Sequence, residues 1–269
     1  MNDFVLRERH GATLLITLNR AERRNAFDLD VRQSLAEAVL EARDDDAVKA
    51  VVITGTQGVF CAGGDLKSLS EAKRPIYKDR DRIRRLHTWF HELVNLEKPV
   101  IAAVDGPAFG AGFNLALACD FILGTPAARF CAVFGRIGLV PDLGGFFLLP
   151  RIVGLQRAKE LVFSAREVDA AEALSLGLLY RIVPQETLLE QALELAARFH
   201  AASTEALGMS KNILNRSFNL DQNTLAELES HAQALALHTA YHDDAVARFL
   251  DKQPLAFTWP AKPGKDGAA

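Results

Sequence analysis

The chain has 269 residues, a formal net charge of −3, and 49% hydrophobic and 24% charged residues. That composition is ordinary for a globular protein of one or two domains and excludes a disordered or fibrous polymer. With no basic excess it offers neither the phosphate-reading face of a nucleic-acid binder nor a polybasic membrane patch.

The amino-terminal stretch 1–9 mixes acidic and basic residues and runs into the apolar segment 12–18, so 14–18 reads as a strand rather than a secretory leader. Residues 26–42 follow as a helix, with Ala26, Leu29, Leu35, Ala38 and Val39 near helical spacing. The segment 48–54 (VKAVVIT) is β-branched and apolar on both faces, as buried parallel strands are, and ends in a turn-rich loop, 55–64. Residues 78–96 predict an amphipathic helix with the stripe Ile83, Leu86, Phe90 and Leu93. A second buried strand, 99–104, a glycine-rich loop, 106–112, a short helix, 113–119, and a strand, 121–123, come next. The best apolar run, 115–124, is cut by Asp120 and falls short of the ~20 residues of a membrane span.

Strand, loop and helix in alternation predict an α/β fold, a layered core with its site on the loops. The remainder is helical. Asp169 with Glu172 gives a capping-box start and Gly177 a stop; helices are expected at 186–200, 205–216, 224–239 and 243–250. A composition shift near Phe199 divides the chain into a core, 1–198, and a helical region, 199–258. The tail 259–269, rich in Pro, Gly, Lys and Ala, is expected to be disordered. No repeat of fixed period is visible. Cys61, Cys119 and Cys131 are odd in number and lack metal spacing, which argues against disulfides and zinc and for a reducing, cytoplasmic compartment.

Two loops carry the chemistry. FCAGGDL (60–66) and GPAFGAG (106–112) each follow a buried strand and open a helix, where backbone N–H groups have no intrahelical acceptor and the helix dipole is positive. Small residues let a carbonyl approach the main chain closely. Two such amides on one oxygen stabilise an enolate or tetrahedral oxyanion. Either loop alone also reads as an ordinary strand-to-helix turn. A dinucleotide site at Gly110-Ala111-Gly112 is disfavoured, because the third glycine position holds Leu115.

Together with LNRAERRNAF (18–27), KPVIAAVDGPAFGAG (98–112), IGLVPDLGG (137–145), LPRIVG (149–154) and the segment 170–183, these loops resemble the enoyl-CoA hydratase/isomerase (crotonase) superfamily over about residues 3 to 255. The resemblance implies a crotonase-like spiral of ββα units whose helical extension, 199–258, assembles homotrimers, often paired into homohexamers. It implies an acyl-CoA thioester as substrate, with CoA entering as part of that substrate and no separate cofactor or metal. The oxyanion hole falls on the amides of Gly64 and Ala111, with Gly110 and Asp65 beside them. Arg24 and Ala62 fall where the family meets the CoA nucleotide, and Lys252 where a neighbouring subunit reaches the phosphates.

The pattern departs from hydratases, whose two glutamate positions hold Asn114 and Phe134. An amide and a phenyl ring neither activate water nor deliver a proton. Asp142, eight residues after Phe134, stands where dienoyl-CoA isomerases and ring-epoxide phenylacetyl-CoA isomerases carry a catalytic aspartate. One carboxylate beside a polarised thioester suits a proton shuttle, so an isomerase is expected. Phe109, Phe113, Phe134, Phe146 and Phe147 are expected to dry the pocket and raise the Asp142 pKa. Local sequence also reads Pro141-Asp142 as a turn and helix N-cap.

His87 borders the apolar stripe of 78–96, where 4-chlorobenzoyl-CoA dehalogenases carry a base histidine. A hydrolytic alternative therefore has Asp142 as nucleophile and His87 activating water; a hydratase-like activity and a non-catalytic acyl-CoA-binding protein are further alternatives. A histidine at that place is also an ordinary, partly buried residue. Cys61, beside the first loop, is a reactive thiol only if it is not buried.

Overall fold

The computed structural model describes residues 4–67 and 75–259. Strands β1 (Val5–His10) and β2 (Thr13–Leu18) form an antiparallel hairpin. Helix α1 (Leu29–Asp44) follows and β3 (Ala50–Gly55) pairs parallel with β2, Leu14 opposite Val51 and Ile16 opposite Ile53. After α2 (Ile76–Val94), strand β4 (Val100–Val104) adds in parallel to β3. The three-residue strand β5 (Pro107–Phe109) leads to α3 (Ala111–Leu117), and β6 (Phe121–Gly124) joins β4. Strands β7 (Arg129–Cys131), β8 (Glu167–Asp169) and β9 (Arg181–Ile182) complete two sheets, of order β1-β2-β3-β4-β6-β9 and β5-β7-β8.

The period-2 alternation of the large sheet sorts its side chains to two cores. Leu14, Ile16, Val51, Ile53, Ala102 and Val104 face α1, α2 and α3. Leu15, Val52, Ile101, Ala103 and Leu123 face α7 (Leu188–Ala197) on the other side. The strands are thus covered on both faces, as their apolar sequence predicts. Lys98, ahead of β4, is buried and donates from Nζ to the carbonyls of Ala42, Arg43 and Asp45 at 2.5, 3.2 and 2.8 Å, satisfying the C-terminal end of α1. Burial pushes its pKa down.

Between β7 and α7 the chain adds α4 (Gly145–Val153), α5 (Leu155–Ser164) and α6 (Ala170–Ser175), the last capped by Asp169 on the Glu172 N–H as the sequence indicated. The extension comprises α8 (Thr204–Arg216), α9 (Gln222–Ala236) and α10 (Ala240–Leu250), capped by Ser203, Asp221 and Thr239. Helix α8 is tied to the core through Lys211 on Asp120 and Asn215 on the Val94 carbonyl. Helices α9 and α10 bury no residue within the chain. Phe199, at the expected boundary, is part of the core.

The expected tail lies outside the described residues except Trp259, which is packed on Phe121 and Phe199 with ring centroids 6.3 and 5.5 Å apart. Among the described residues no helix is long and apolar enough to cross a membrane.

Several boundaries shift for local reasons. The helix expected from residue 26 begins at Leu29, because Ala26 and Phe27 belong to the loop network and Asp28 caps the helix by accepting from the Val31 N–H at 3.0 Å. The hairpin strand β1 (VLRERH) and the small sheet were not anticipated.

Candidate active site

Loop 19–28 and the two glycine-containing loops are stitched into one unit. Asn25 is fully buried with φ 55°; its Nδ2 donates to the carbonyls of Thr56 and Val59 at 3.2 and 2.7 Å, and its Oδ1 accepts from the Arg20 N–H at 2.8 Å. The Phe27 N–H donates to Gly63 O at 2.7 Å and the Asp65 N–H to Phe27 O at 3.0 Å, which leaves Gly64 between two bonded neighbours. The second loop then zips onto the first: the Cys61 N–H donates to Pro107 O at 3.0 Å and the Phe109 N–H to Cys61 O at 2.9 Å.

Two glycines make this approach sterically feasible. A Cβ on Gly63, where φ is +98°, would lie 2.8 Å from Phe109 O and 3.5 Å from Ala111 N; one on Gly112 would lie 2.2 Å from Cys61 O. The first loop therefore abuts the start of α3 at Ala111. Among the described residues neither the Gly64 nor the Ala111 N–H has an acceptor. Unpaired main-chain donors at a site where three loops meet are what an oxyanion needs.

Asp142 reaches the same region through α3. Asn114, one turn into that helix and 3% exposed, donates from Nδ2 to the Asp142 carbonyl at 2.7 Å. The next residues bend sharply, with φ +41° at Leu143 and +71° at Gly144, where a Cβ would lie 2.6 Å from Phe90 Cε1 on α2. The N-cap reading of Asp142 is corrected here: the cap of α4 is Gly144, with no side-chain bond, and the Gly145 N–H goes to the Asp142 backbone oxygen at 3.0 Å. The carboxylate is left over. Its Oδ1 is buried and has no hydrogen-bond partner among the described residues. Burial pushes the Asp142 pKa up, against the opposing pull of the Arg32, Arg82 and His87 charges.

The remaining expected residues divide. Arg24 is exposed with φ 53°, has no ion-pair partner among the described residues, and accepts on its carbonyl from the Ala62 N–H at 3.0 Å, so this pair is adjacent. Asp65 is buried and its Oδ1 accepts from the Lys67 N–H at 3.0 Å, capping the chain that enters the undescribed segment 68–74. Phe134 is buried with its ring edge against Gly110, a Cβ there lying 3.7 Å from Cζ. Lys252 lies on the exposed turn after α10, φ 54°, and the structure does not group it with the loops.

His87 is exposed on α2 and lines a cavity of about 440 Å³ with Phe90, Gly144, Phe147 and Leu148. A larger, charged cavity of about 710 Å³, bounded by residues such as Arg43, Asp46 and Glu92, contains none of the expected site residues. The five phenylalanines expected to dry the pocket do not act together. Phe113 packs on Phe130 in the core, Phe147 lies under Arg151, and Phe146 is 61% exposed. The Cys61 thiol is buried, with its pKa pushed up to about 12, which makes it inert. Among the described residues no cluster of three metal-ligating side chains forms.

Arg32, Arg82, Asn25 and the Asn114 bond went unread in the sequence. The available signal for the arginines was a cation set against an apolar stripe: Arg32 three residues before Leu35, and Arg82 four before Leu86.

The sequence pattern of the enoyl-CoA hydratase/isomerase family matches residues 8–260. A 1,2-epoxyphenylacetyl-CoA isomerase from Escherichia coli (strain K12) is 34% identical over 260 residues, spanning 96% of this chain and 99% of its own. A short-chain-enoyl-CoA hydratase from Clostridium acetobutylicum is 32% identical over 256 residues, 95% and 97% of the two chains. The solved structure of an enoyl-CoA hydratase/isomerase from Cupriavidus metallidurans CH34 superposes with a TM-score of 0.91 at 42% identity, covering 97% of this chain and 98% of that one.

Proposed function

Since the chain belongs to the enoyl-CoA hydratase/isomerase family, whose members process acyl-CoA thioesters, we propose that it is an acyl-CoA isomerase that moves a double bond or rearranges a ring through an enolate. One observation carries the reading: a buried carboxylate oxygen of Asp142 that has no partner among the described residues, tethered through its backbone to the helix that starts at Ala111, whose N–H likewise has no acceptor among them. The thioester oxygen accepts from the N–H groups of Gly64 and Ala111. Asp142 takes a proton from the carbon next to the carbonyl, and the C–H electron pair becomes the enolate held by those amides. The same proton then returns to a carbon farther along the acyl group as the double bond shifts, so the formula is unchanged. No separate cofactor takes part.

Hydration is disfavoured because it needs a group that handles water. The Asn114 side-chain amide donates to the Asp142 carbonyl, and the Phe134 ring can neither give nor accept a proton. The exposed Arg24 beside Ala62 supplies charge for the CoA phosphates, joined by the partner subunit's Lys252 in a homotrimer or homohexamer. The apolar side chains that α8–α10 leave exposed, among them Leu214, Leu235, Phe249 and Leu250, support such an assembly. Three free buried thiols suit the cytoplasm.

The test is a panel of 2-enoyl, 3-enoyl, dienoyl and aryl thioesters, followed by CoA-ester absorbance and product mass. Products isomeric with their substrates are expected. Products heavier by one water favour a hydratase, free CoA favours a hydrolase, and binding without turnover across the panel favours a non-catalytic protein.

The hydrolytic reading rests on His87, which lines the cavity beside Gly144 and acts on the Asp142 carboxyl against the effect of burial. Under the isomerase reading His87→Ala leaves turnover nearly intact and no aspartyl ester forms at Asp142. A collapse of turnover with a trapped ester, read by mass spectrometry, supports the nucleophile instead.

A further inference from the structure

We propose that Asn114 is the positioning residue of this site: its side-chain amide locks the backbone of Asp142 to the helix that begins at the Ala111 amide, and so sets the carboxylate relative to the oxyanion hole. The inference rests on the reading of Asp142 as proton carrier.

Among the described residues Asp142 Oδ1 has no hydrogen-bond partner, and no side chain of another element holds the carboxylate, so its position depends on the main chain that carries it. That main chain does not hold itself. Leu143 sits at φ +41°, a conformation that disfavours a branched residue, and persists only where neighbours over-determine it. Two donors converge on the Asp142 carbonyl, Asn114 Nδ2 at 2.7 Å and the Gly145 N–H at 3.0 Å. Only Asn114 comes from another element.

The fit of Asn114 is exclusive. A Cβ on Gly145 would lie 2.6 Å from Asn114 Nδ2 and 2.9 Å from its Oδ1, so the amide occupies space that any other residue at 145 would fill. An ionised carboxylate at position 114 has no proton to donate to the carbonyl. One position therefore serves either as a carboxylate for water or as the clamp on Asp142; here it is the clamp. A misplacement near 1 Å can cost about a hundredfold in rate, which is the scale of effect available to such a clamp.

The experiment compares Asn114→Ala and Asn114→Ser with the parent and with Asp142→Asn. It measures kcat and KM on (E)-3-hexenoyl-CoA, binding of butyryl-CoA, the melting temperature, and the pH dependence of kcat/KM. Asn114→Ala is expected to lower kcat by about 10- to 100-fold with butyryl-CoA binding little changed. Its acid limb should move to lower pH, because the released loop lets water reach the carboxylate while the charges that face it, Arg32 on α1 and Arg82 and His87 on α2, stay in place. Asn114→Ser, which keeps a donor but shortens it, should fall between. With Asp142→Asn inactive, parent-like kcat and an unmoved acid limb in both Asn114 variants overturn the positioning role. So does a lowered melting temperature with both quantities intact, which makes Asn114 merely structural. An active Asp142→Asn enzyme overturns the reading beneath it instead.

Discussion

Asp142→Asn is expected to cut turnover by about 10²- to 10⁴-fold, the usual contribution of a positioned acid–base group, while leaving CoA-ester binding nearly as it was. The substitution is close to isosteric, and Oδ1 has no hydrogen-bond partner among the described residues to be lost, so the pocket should keep its shape. Under the proposed mechanism the base works ionised, so kcat/KM is expected to fall as pH drops through the Asp142 value, which burial moves up from that of an ordinary carboxylate. The same displacement has a stability consequence of fixed sign. A carboxyl whose folded pKa lies above its unfolded one favours the folded state when protonated, and that contribution is lost as pH rises through the folded value. Asp142→Asn should therefore melt higher than the parent at neutral pH, with the gap closing in acid. A variant that melts lower at neutral pH, or retains full turnover, contradicts the account.

Ala111→Pro should lower kcat by about 10²- to 10³-fold, the cost typical of losing one oxyanion donor. Ala111 is the first residue of α3, a position where proline's fixed φ is compatible with a helix and its missing N–H breaks no intrahelical bond. The chain fold should survive, as a melting curve would report, while the thioester oxygen keeps only the Gly64 amide. Parent-like turnover from a folded Ala111→Pro enzyme rules out that amide as a donor.

How much of this was legible depends on whether a signal was local. The buried strands β3 and β4 announce themselves through VVIT and VIAAV, apolar on both faces, and the extension through its periodic helices, whereas its caps Ser203, Asp221 and Thr239 went unread, Thr239 being placed at the end of the preceding helix. Strands β5, β7 and β8 are three residues each, too short for a period, and form only because β7 pairs with two distant partners. β1 carries mostly charged residues on an edge, so its alternation is masked. Helices α4 and α5 hide behind Pro150 and Gly154.

At the site, glycine-rich turns after buried strands pointed to Gly64 and Ala111, and the family pattern to Asp142. Local chemistry misdirected the reading of Asp142 as a cap, since Gly144 takes that place in the left-handed region. Nothing local shows that Asn114 bonds a carbonyl 28 residues away, or that Arg32 and Arg82 face the same carboxylate from two helices. Phe146 reads as pocket lining by adjacency, yet helical geometry turns it outward.

The central claim is that two main-chain amides polarise one thioester oxygen. Infrared difference spectra of a ¹³C-carbonyl acyl-CoA bound to the Asp142→Asn enzyme, with and without Ala111→Pro, measure that polarisation without turnover. A carbonyl band displaced to lower frequency on binding, and largely restored to its free position by the proline, is the predicted result. A band that stays at its solution frequency in the bound complex, or a displacement indifferent to the proline, contradicts it.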